Sequence, residues 1–412
     1  MLSTFSKNVL RLTGGTAFAQ LLPLLVAPAL SRLYSPAEFG AYYFFSALVA
    51  MGSVVSTGRY EMAVMLPEKE RPALATFAAG VLLASLGMLF LFLLLCFPAF
   101  RQMLNERTHL GAWMWLLPPA IWLQGVFNLL SYWHNRHRRF RLIAASKFVL
   151  SGFNAFGRLG LGFWQGGIGG LILGTFSAWL AVVLQFGRKL FKADFSLLRN
   201  IRLAEAIEQA RKYRHFPRNM VIGSLFNKGS SELPALLLNW FFLPGIAGWY
   251  GQMAAVTRRP IQVIGRSFEE VFRQAAAEEI HKTGHCRRIF WRTFKKLFAI
   301  GFLPFALFAW LAPPLFAFVF GPDWEQAGHY AQAFALPFFL QFISAPLSSL
   351  FYLYEQVSLY SKLELFQLLL VLAALLGGKW FFGDAGLTIY LLAGAYTLGY
   401  LLRLYLLALM QK

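Results

Sequence analysis

Long runs of apolar residues alternate with short polar segments along the whole chain. The clearest run covers residues 73–97, which contain no charged residue and are long enough to cross a bilayer as a helix. Eleven comparable runs lie at 9–30, 39–66, 112–133, 142–164, 168–187, 217–242, 246–268, 297–320, 328–354, 360–382 and 386–409. The pattern therefore predicts an all-α protein with about twelve transmembrane helices.

The composition supports burial in lipid. Hydrophobic residues make up 58% of the 412 residues, charged residues only 14%, and the mean hydropathy is +0.55. In most runs the apolar residues surround the predicted helix instead of forming one stripe, so a soluble core would leave much of this surface in water. Gly and Pro inside the runs are compatible with membrane helices, where neighbouring helices satisfy the freed backbone groups.

The basic residues are distributed unevenly between the two sides of the predicted membrane. A formal net charge of +20 would also suit a nucleic-acid-binding protein. However, 29 Lys and Arg residues fall on the side that carries both termini, including the clusters at 136–141 and 287–296. The opposite side has four: Arg32, Arg101, Arg107 and Lys379. The positive-inside rule therefore predicts that both termini are cytoplasmic and that the clusters set the topology.

The first run ends at Ala27-Pro28-Ala29, which matches a signal-peptidase site. We expect this run to be retained as the first transmembrane helix. Its removal would leave an odd number of spans, whereas the distribution of basic residues fits an even number. Cys96 lies in a span and Cys286 in a predicted cytoplasmic loop, so no disulfide is expected. The seven His residues have no metal-ligand spacing, so no metal is expected.

Two halves with six spans each are separated by a polar, basic segment. The predicted boundaries are 1–187 for an N-terminal six-helix bundle, 188–216 for a cytoplasmic connector with a helix at 203–214, and 217–412 for a C-terminal bundle. An internal repeat supports this division. At a constant offset of 208 residues, Pro36, Gly40, Tyr42 and Glu61 recur as Pro244, Gly248, Tyr250 and Glu269.

An even number of spans in each half gives both halves the same orientation. Parallel repeats of this kind are related by an axis along the membrane normal. We therefore expect two six-helix bundles that face each other across a central cavity, with substrate exposed alternately to each side.

Three stretches of the chain resemble a known family. The first has LSRLYSP at 30–36, FG at 39–40, GRYE at 58–61 and LP at 66–67. The second has LP at 233–234, FF at 241–242, Pro244, Gly248, Tyr250, Pro260, IG at 264–265 and VF at 271–272. The third has FG at 320–321, Trp324, AG at 327–328, YA at 330–331, PLS at 346–348 and Glu355. In this order they resemble the polysaccharide-repeat-unit flippases of the multidrug, oligosaccharidyl-lipid and polysaccharide exporter superfamily.

The resemblance implies a function and a location. Proteins similar to this chain move an undecaprenyl-diphosphate-linked oligosaccharide from the cytoplasmic to the periplasmic leaflet of the bacterial inner membrane. They serve O-antigen (lipopolysaccharide), capsule or exopolysaccharide assembly, so a polysaccharide polymerase and chain-length machinery are expected as further partners. The motifs do not identify the glycan.

Charged residues inside the predicted spans are the candidates for mechanism, because an ionisable group in lipid is costly and usually faces a cavity or a partner. The candidates for binding the diphosphate are Arg59, Arg158, Lys228, Arg258 and Arg259. The candidates for contacting the sugars are Gln20, Asn128, Asn154, Asn227 and Gln341. Glu232, and less favourably Glu61, could couple transport to protons or sodium. Cations exceed carboxylates, which favours an anionic cargo.

Each candidate also has a purely structural interpretation. Arg59 and Arg258 could extend to the headgroups, and adjacent Arg258 and Arg259 cannot both face one cavity. Lys228 and Glu232 are four residues apart and could form a neutralising ion pair within the bundle.

Other functional classes fit less well. A membrane glycosyltransferase would need catalytic carboxylates beside a large outer loop, whereas the predicted loop at 98–111 offers only Glu106, so we expect no enzymatic activity. Small-solute facilitators usually carry Gly-x-x-x-Asp-Arg after the second span, and this chain reads PEKERP at 67–72. The alternative is a multidrug or small-solute exporter of the same superfamily, although a cation exporter would not be expected to contain a net positive interior.

Overall fold

The computed structural model describes residues 22–199 and 201–411, and nearly all of these residues are helical. The helices of the N-terminal half are α1 (Leu22–Leu33), α2 (Pro36–Ser56), α3 (Tyr60–Ala63), α4 (Glu70–Cys96), α5 (Pro98–Thr108), α6 (Leu117–Arg136), α7 (Phe140–Gly152), α8 (Arg158–Gln165), α9 (Ile168–Arg199) and α10 (Leu203–Lys212). Those of the C-terminal half are α11 (Val221–Phe241), α12 (Pro244–Thr283), α13 (Arg287–Phe320), α14 (Glu325–Leu347), α15 (Leu350–Leu353), α16 (Val357–Gly377) and α17 (Ala385–Leu409). Short 3₁₀ or π turns continue several of them, at Gly111–Leu116, Phe153–Gly157, Phe216–Met220, Pro322–Trp324 and Gly378–Phe382.

The fold class predicted from the apolar runs is confirmed. The chain has an all-α membrane fold, in which helical bundles surround a central cavity. Every run coincides with a helix or with helices joined end to end, although the first run is described only from residue 22 onward. Within the described residues, seven helices can span a membrane by length and composition alone, or eight if the pair around residue 110, bent by 113°, is one span. The other predicted spans are interrupted by turns, as between α7 and α8, or contain charged residues, as in α11 and α12.

Several predicted loops are in fact helical. α12 has 40 residues and α13 has 34, so the predicted cytoplasmic loop at 266–296 is helical except around residues 284–286. Residues 266–283 are rich in Glu, Ala and Arg, which favour helix formation outside lipid as well. Gly284 ends α12 because it adopts a left-handed conformation with φ of 78°. The predicted outer loop at 98–111 likewise contains α5.

The internal repeat forms a close contact between the two halves. A side chain on Gly40 would overlap the carbonyl oxygen of Pro244, and a side chain on Gly248 would overlap the carbonyl oxygen of Pro36. In each case the added Cβ would also lie 3.0 Å from the backbone nitrogen of the other glycine. The starts of α2 and α12 therefore touch backbone to backbone, and glycine is required at both positions. We call this contact the glycine crossing.

The segment between the halves packs beside the N-terminal helices. α9 continues to Arg199 with a break in helical geometry at Asp194, and α10 follows. Arg71 at the start of α4 forms a 2.7 Å ion pair with Glu205 of α10, and the Tyr60 hydroxyl donates to the carbonyl of Ala210 at 2.9 Å. The connector is thus attached to α3 and α4. Its domain boundaries stay a prediction.

Candidate functional site

A cavity of about 550 Å³ lies between the two halves, lined by α2, α6, α7, α8 and α9 on one side and by α11 and α12 on the other. Its charged lining consists of four cations and one carboxylate: Arg158, Lys228, Arg259, Arg266 and Glu232. Its uncharged polar lining includes Ser46, Gln124, Ser151, Asn154, Thr175 and Gln262. We call it the central cavity. Among the described side chains, none of the four cations has a carboxylate within 4.0 Å.

Arg158 is the most firmly held of these cations. The π turn Phe153–Gly157 interrupts the helix immediately before it, and such insertions often occur at functional sites. The guanidinium donates to Asn154 at 2.9 Å, to Thr175 at 2.9 Å and to the Tyr42 hydroxyl, and it lies 4.6 Å from the centre of the Tyr42 ring. These neutral partners orient the charge without cancelling it, so it remains available to an anion.

Lys228 and Glu232 lie together on the cavity face of α11, as their spacing predicts. The neutralising ion pair considered for them is not formed, because no contact within 4.0 Å joins the two charged groups among the described side chains. Both are partly buried. Neither side chain has a hydrogen bond to the part of the chain that the structure describes, so each can approach or leave the other without breaking such a bond.

The two adjacent arginines of α12 face different spaces. Arg259 lines the central cavity, whereas Arg258 lines a second cavity of about 310 Å³ inside the C-terminal half, which we call the C-terminal pocket. This agrees with the expectation that only one of the two can face the central cavity, since neighbouring residues on a helix point about 100° apart. Gln262, one turn further along α12, lines both spaces.

An ion pair inside the C-terminal pocket was not anticipated from the sequence. Arg403 of α17 donates to Glu364 of α16 at 2.6 Å, although the two residues are 39 positions apart. Both fall at the margins of predicted spans, where charged residues resemble ordinary loop residues. The sequence offered one indication of this ion pair, since Glu364 is a charged residue inside the predicted span 360–382.

Arg59 and Glu61 lie outside the lining of the central cavity. They occupy the break between α2 and α3, where Arg59 has a left-handed φ of 61°. The Arg59 guanidinium donates to Glu61 at 3.0 Å, and Thr57 donates to the other carboxylate oxygen at 2.7 Å. Glu61 is only 1% exposed, so this pair is a local structural element at the end of α2.

The candidate sugar-contacting residues are distributed over both spaces. Asn154 lines the central cavity, and Asn227 and Gln341 line the C-terminal pocket. Asn128 is a partly buried residue of α6 outside both linings. Gln20 lies outside the described residues.

Some lining residues were missed because no sequence signal separates them from packing residues. Tyr42 is an aromatic residue in an aromatic-rich helix, and Thr175 is one hydroxyl in a long apolar run. The repeat contained a partial signal. Tyr42 accepts from Arg158 of its own half, and its repeat equivalent Tyr250 accepts from Arg258 at 3.3 Å.

The accessibility of α12 shows where the central cavity opens. Residues 250–254, near the glycine crossing, are all buried, whereas Gln262 and Arg266 are exposed. The cavity is therefore closed at the glycine crossing and accessible from the opposite end of α12.

Comparisons with known proteins identify the family of the chain and solved structures with a similar fold. A family model for a polysaccharide biosynthesis protein matches residues 29–329. A search of curated proteins found no match. The chain is similar to a lipid II flippase MurJ in an inward closed conformation, with 12% identity and a TM-score of 0.71 over 96% of this chain and 87% of that one. It is also similar to an inward-facing multidrug resistance MATE family transporter of the MOP superfamily, with 12% identity and a TM-score of 0.67 over 95% and 94%. A mutant of the Vibrio cholerae MATE transporter VcmN gives 16% identity and a TM-score of 0.58 over 98% and 96%.

Proposed function

The chain belongs to the polysaccharide biosynthesis protein family, and we propose that it is a MOP-superfamily transporter that flips an undecaprenyl-diphosphate-linked oligosaccharide across the bacterial inner membrane. Movement is from the cytoplasmic to the periplasmic leaflet, and the product supplies surface polysaccharide assembly. Both termini face the cytoplasm, in keeping with the 29 basic residues on that side. Polysaccharide polymerase and chain-length proteins are the expected recipients.

The observation that carries this proposal is the charge of the central cavity. Four cations and one carboxylate surround a space of about 550 Å³ between the two halves of the molecule. Several cations around one cavity repel one another, and an anion that enters the cavity relieves this repulsion. A diphosphate supplies two adjacent negative groups, and guanidiniums bind such oxygens through paired hydrogen bonds. Asn154, Gln124 and Ser151 are then available for sugar hydroxyls.

The glycine crossing is assigned to the periplasmic side by the same topology. The central cavity then opens toward the cytoplasm, where the lipid-linked substrate is made. Substrate enters with its diphosphate near Arg158 and Arg259, the crossing separates, and the opposite ends of α2 and α12 come together. Glu232 is the proposed coupling residue, since it stands beside Lys228 without being bound to it.

The runner-up is export of small drugs, which is the function stated for some structural neighbours. A cationic drug would be repelled by the four cations of the central cavity. An anionic or zwitterionic small molecule would be a better fit, and the following experiment separates it from a lipid-linked glycan.

Cells that lack the chain should accumulate the lipid-linked oligosaccharide on the cytoplasmic leaflet, and a plasmid copy should remove it. Arg259→Met should restore neither surface polysaccharide nor leaflet transfer at a normal expression level, whereas exposed Lys192→Met, which removes the same charge, should restore both. Normal surface polysaccharide in cells without the chain, together with increased sensitivity to small anionic compounds, would instead support the exporter.

A further inference from the structure

The C-terminal pocket is a second polar site, lined entirely by residues of the C-terminal half. It measures about 310 Å³ and is lined from α11, α12, α14, α16 and α17. Its charged residues are Arg258, Arg403 and Glu364, and its aromatic residues are Tyr396 and Tyr400. A volume of this order is at the small end of ligand pockets and suits one sugar-sized group.

The charges of the C-terminal pocket do not balance. Glu364 is committed to Arg403 by the 2.6 Å ion pair. Arg258 is in contact with the Tyr250 hydroxyl at 3.3 Å and with the face of Tyr396, 5.6 Å from the ring centre. No carboxylate lies within 4.0 Å of Arg258 among the described side chains. A partly buried guanidinium held only by neutral groups is a binding site for an anion.

Two further buried atoms lack partners among the described residues. Arg403 is 9% exposed and its Nε has no acceptor, while Gln367 is 4% exposed and its Oε1 has no donor. Arg258 and Arg403 bind acceptor oxygens, most strongly when these are anionic, and Gln367, whose Oε1 packs against Gly399, lines the pocket with an amide that suits a sugar hydroxyl. Acidic sugars carry both groups, and the rings of Tyr396 and Tyr400 offer surfaces for a sugar ring.

We propose that the C-terminal pocket binds an acidic substituent of the glycan, so that the cargo is an anionic oligosaccharide as well as an anionic lipid diphosphate. This deepens the proposed function and rests on it. Gln262 lines both spaces, so a glycan whose diphosphate lies in the central cavity can extend directly into the C-terminal pocket. The acidic group is a carboxylate or a phosphate carried on a sugar.

Binding to the purified full-length protein tests the site without transport. Glucuronate should bind and glucose should not, and Arg258→Met should weaken glucuronate binding by about tenfold or more, since it removes a charge-assisted hydrogen bond. Arg258→Lys should recover part of the affinity, and Gln367→Leu, which leaves all charges in place, should weaken it several-fold. Sugar phosphate in place of glucuronate distinguishes the two acidic groups. Binding of inorganic phosphate without either acidic sugar would overturn the inference.

Transport in vesicles separates this inference from the function on which it rests. Lipid-linked glycans that differ only in one acidic or neutral sugar are compared, and Arg258→Met should lower the acidic-to-neutral transport ratio. If both glycans are flipped equally, and the ratio is unchanged in Arg258→Met, the inference about the C-terminal pocket fails while the proposed flippase function is retained. If neither is flipped by the wild type, the proposed function itself fails.

Discussion

The starts of α2 and α12 and the middles of the same helices have opposite chemistry. At their starts, Gly40 and Gly248 bring two backbones into direct contact without any intervening side chain. Further along, the helices border the central cavity, from Tyr42 onward in α2 and from Arg259 onward in α12. Arg259 there shares the lining with Arg158 and Lys228 of neighbouring helices. One region is tight and uncharged, and the other is open and positively charged.

This difference separates closing from binding. A contact made by backbone packing opens without pulling opposite charges apart in lipid, which would be costly. The four cations of the central cavity have no carboxylate within 4.0 Å among the described side chains, so an anion can bind between them. In the proposed transport cycle, the glycine crossing can therefore open while the central cavity keeps its charge.

The largest effect is expected at the glycine crossing. Gly248→Ala adds one methyl group at a position with no room for it and should cost roughly 1–3 kcal/mol of packing. Transport should fall by about tenfold or more, and a cysteine placed at Ser46 should become accessible from the periplasmic side. Gly245→Ala is the matched control, since nothing lies within 4 Å of its added methyl group. Equal behaviour of the two variants would show that the crossing is not a closing contact.

The next effect is expected at Arg158. Arg158→Met removes a guanidinium held by three side chains and should reduce transport by about tenfold, while Arg158→Lys should retain part of the activity. Expression measured in parallel separates this from misfolding, and Lys192→Met supplies the control for net charge. Full activity of Arg158→Met would show that the central cavity does not bind substrate through this charge, and the functional contrast with the glycine crossing would be lost.

A smaller effect is expected from Lys228 and Glu232. The double change Lys228→Met with Glu232→Gln removes opposite charges together, so the protein should fold normally. If Glu232 couples transport, flipping should fall several-fold and no longer respond to an imposed pH or sodium gradient, as measured in proteoliposomes. Wild-type transport that ignores both gradients would leave the two residues with a structural role.

The smallest effect concerns thiol labelling, which determines the side that each region faces. Burial raises the pKa of the Cys286 thiol, and its Sγ lies 3.2 Å from Gln411, so it should react slowly despite its loop position. Labelling should increase only at a higher pH than for an ordinary thiol, because less thiolate is present at neutral pH. A cysteine introduced at exposed Thr283 should be labelled quickly, and only from the cytoplasmic side. Rapid labelling of Thr283→Cys from the periplasm would reverse the orientation of both regions.

The sequence predicted more of the fold than of the site. Apolar runs predicted the membrane helices because each helix must cover one bilayer thickness, which is a local property of the chain. Helix ends were predicted less well. α12 extends to Thr283, for example, because the charged residues that mark the end of a membrane span can still continue the helix in water. The repeat of Gly40 and Gly248 was visible in one sequence, and its role as a contact was not.

The site depended on packing between distant segments. The predicted spans indicated that cations outnumber carboxylates inside the membrane, and the resemblance of the motifs predicted a flippase. Only the tertiary structure decided that Arg158 and Arg259 share a cavity, that Arg59 is paired elsewhere with Glu61, and that Arg258 faces another pocket. The physical reason is that a residue's type and spacing limit which helix face it occupies, whereas the neighbours of that face are set by how twelve helices pack together.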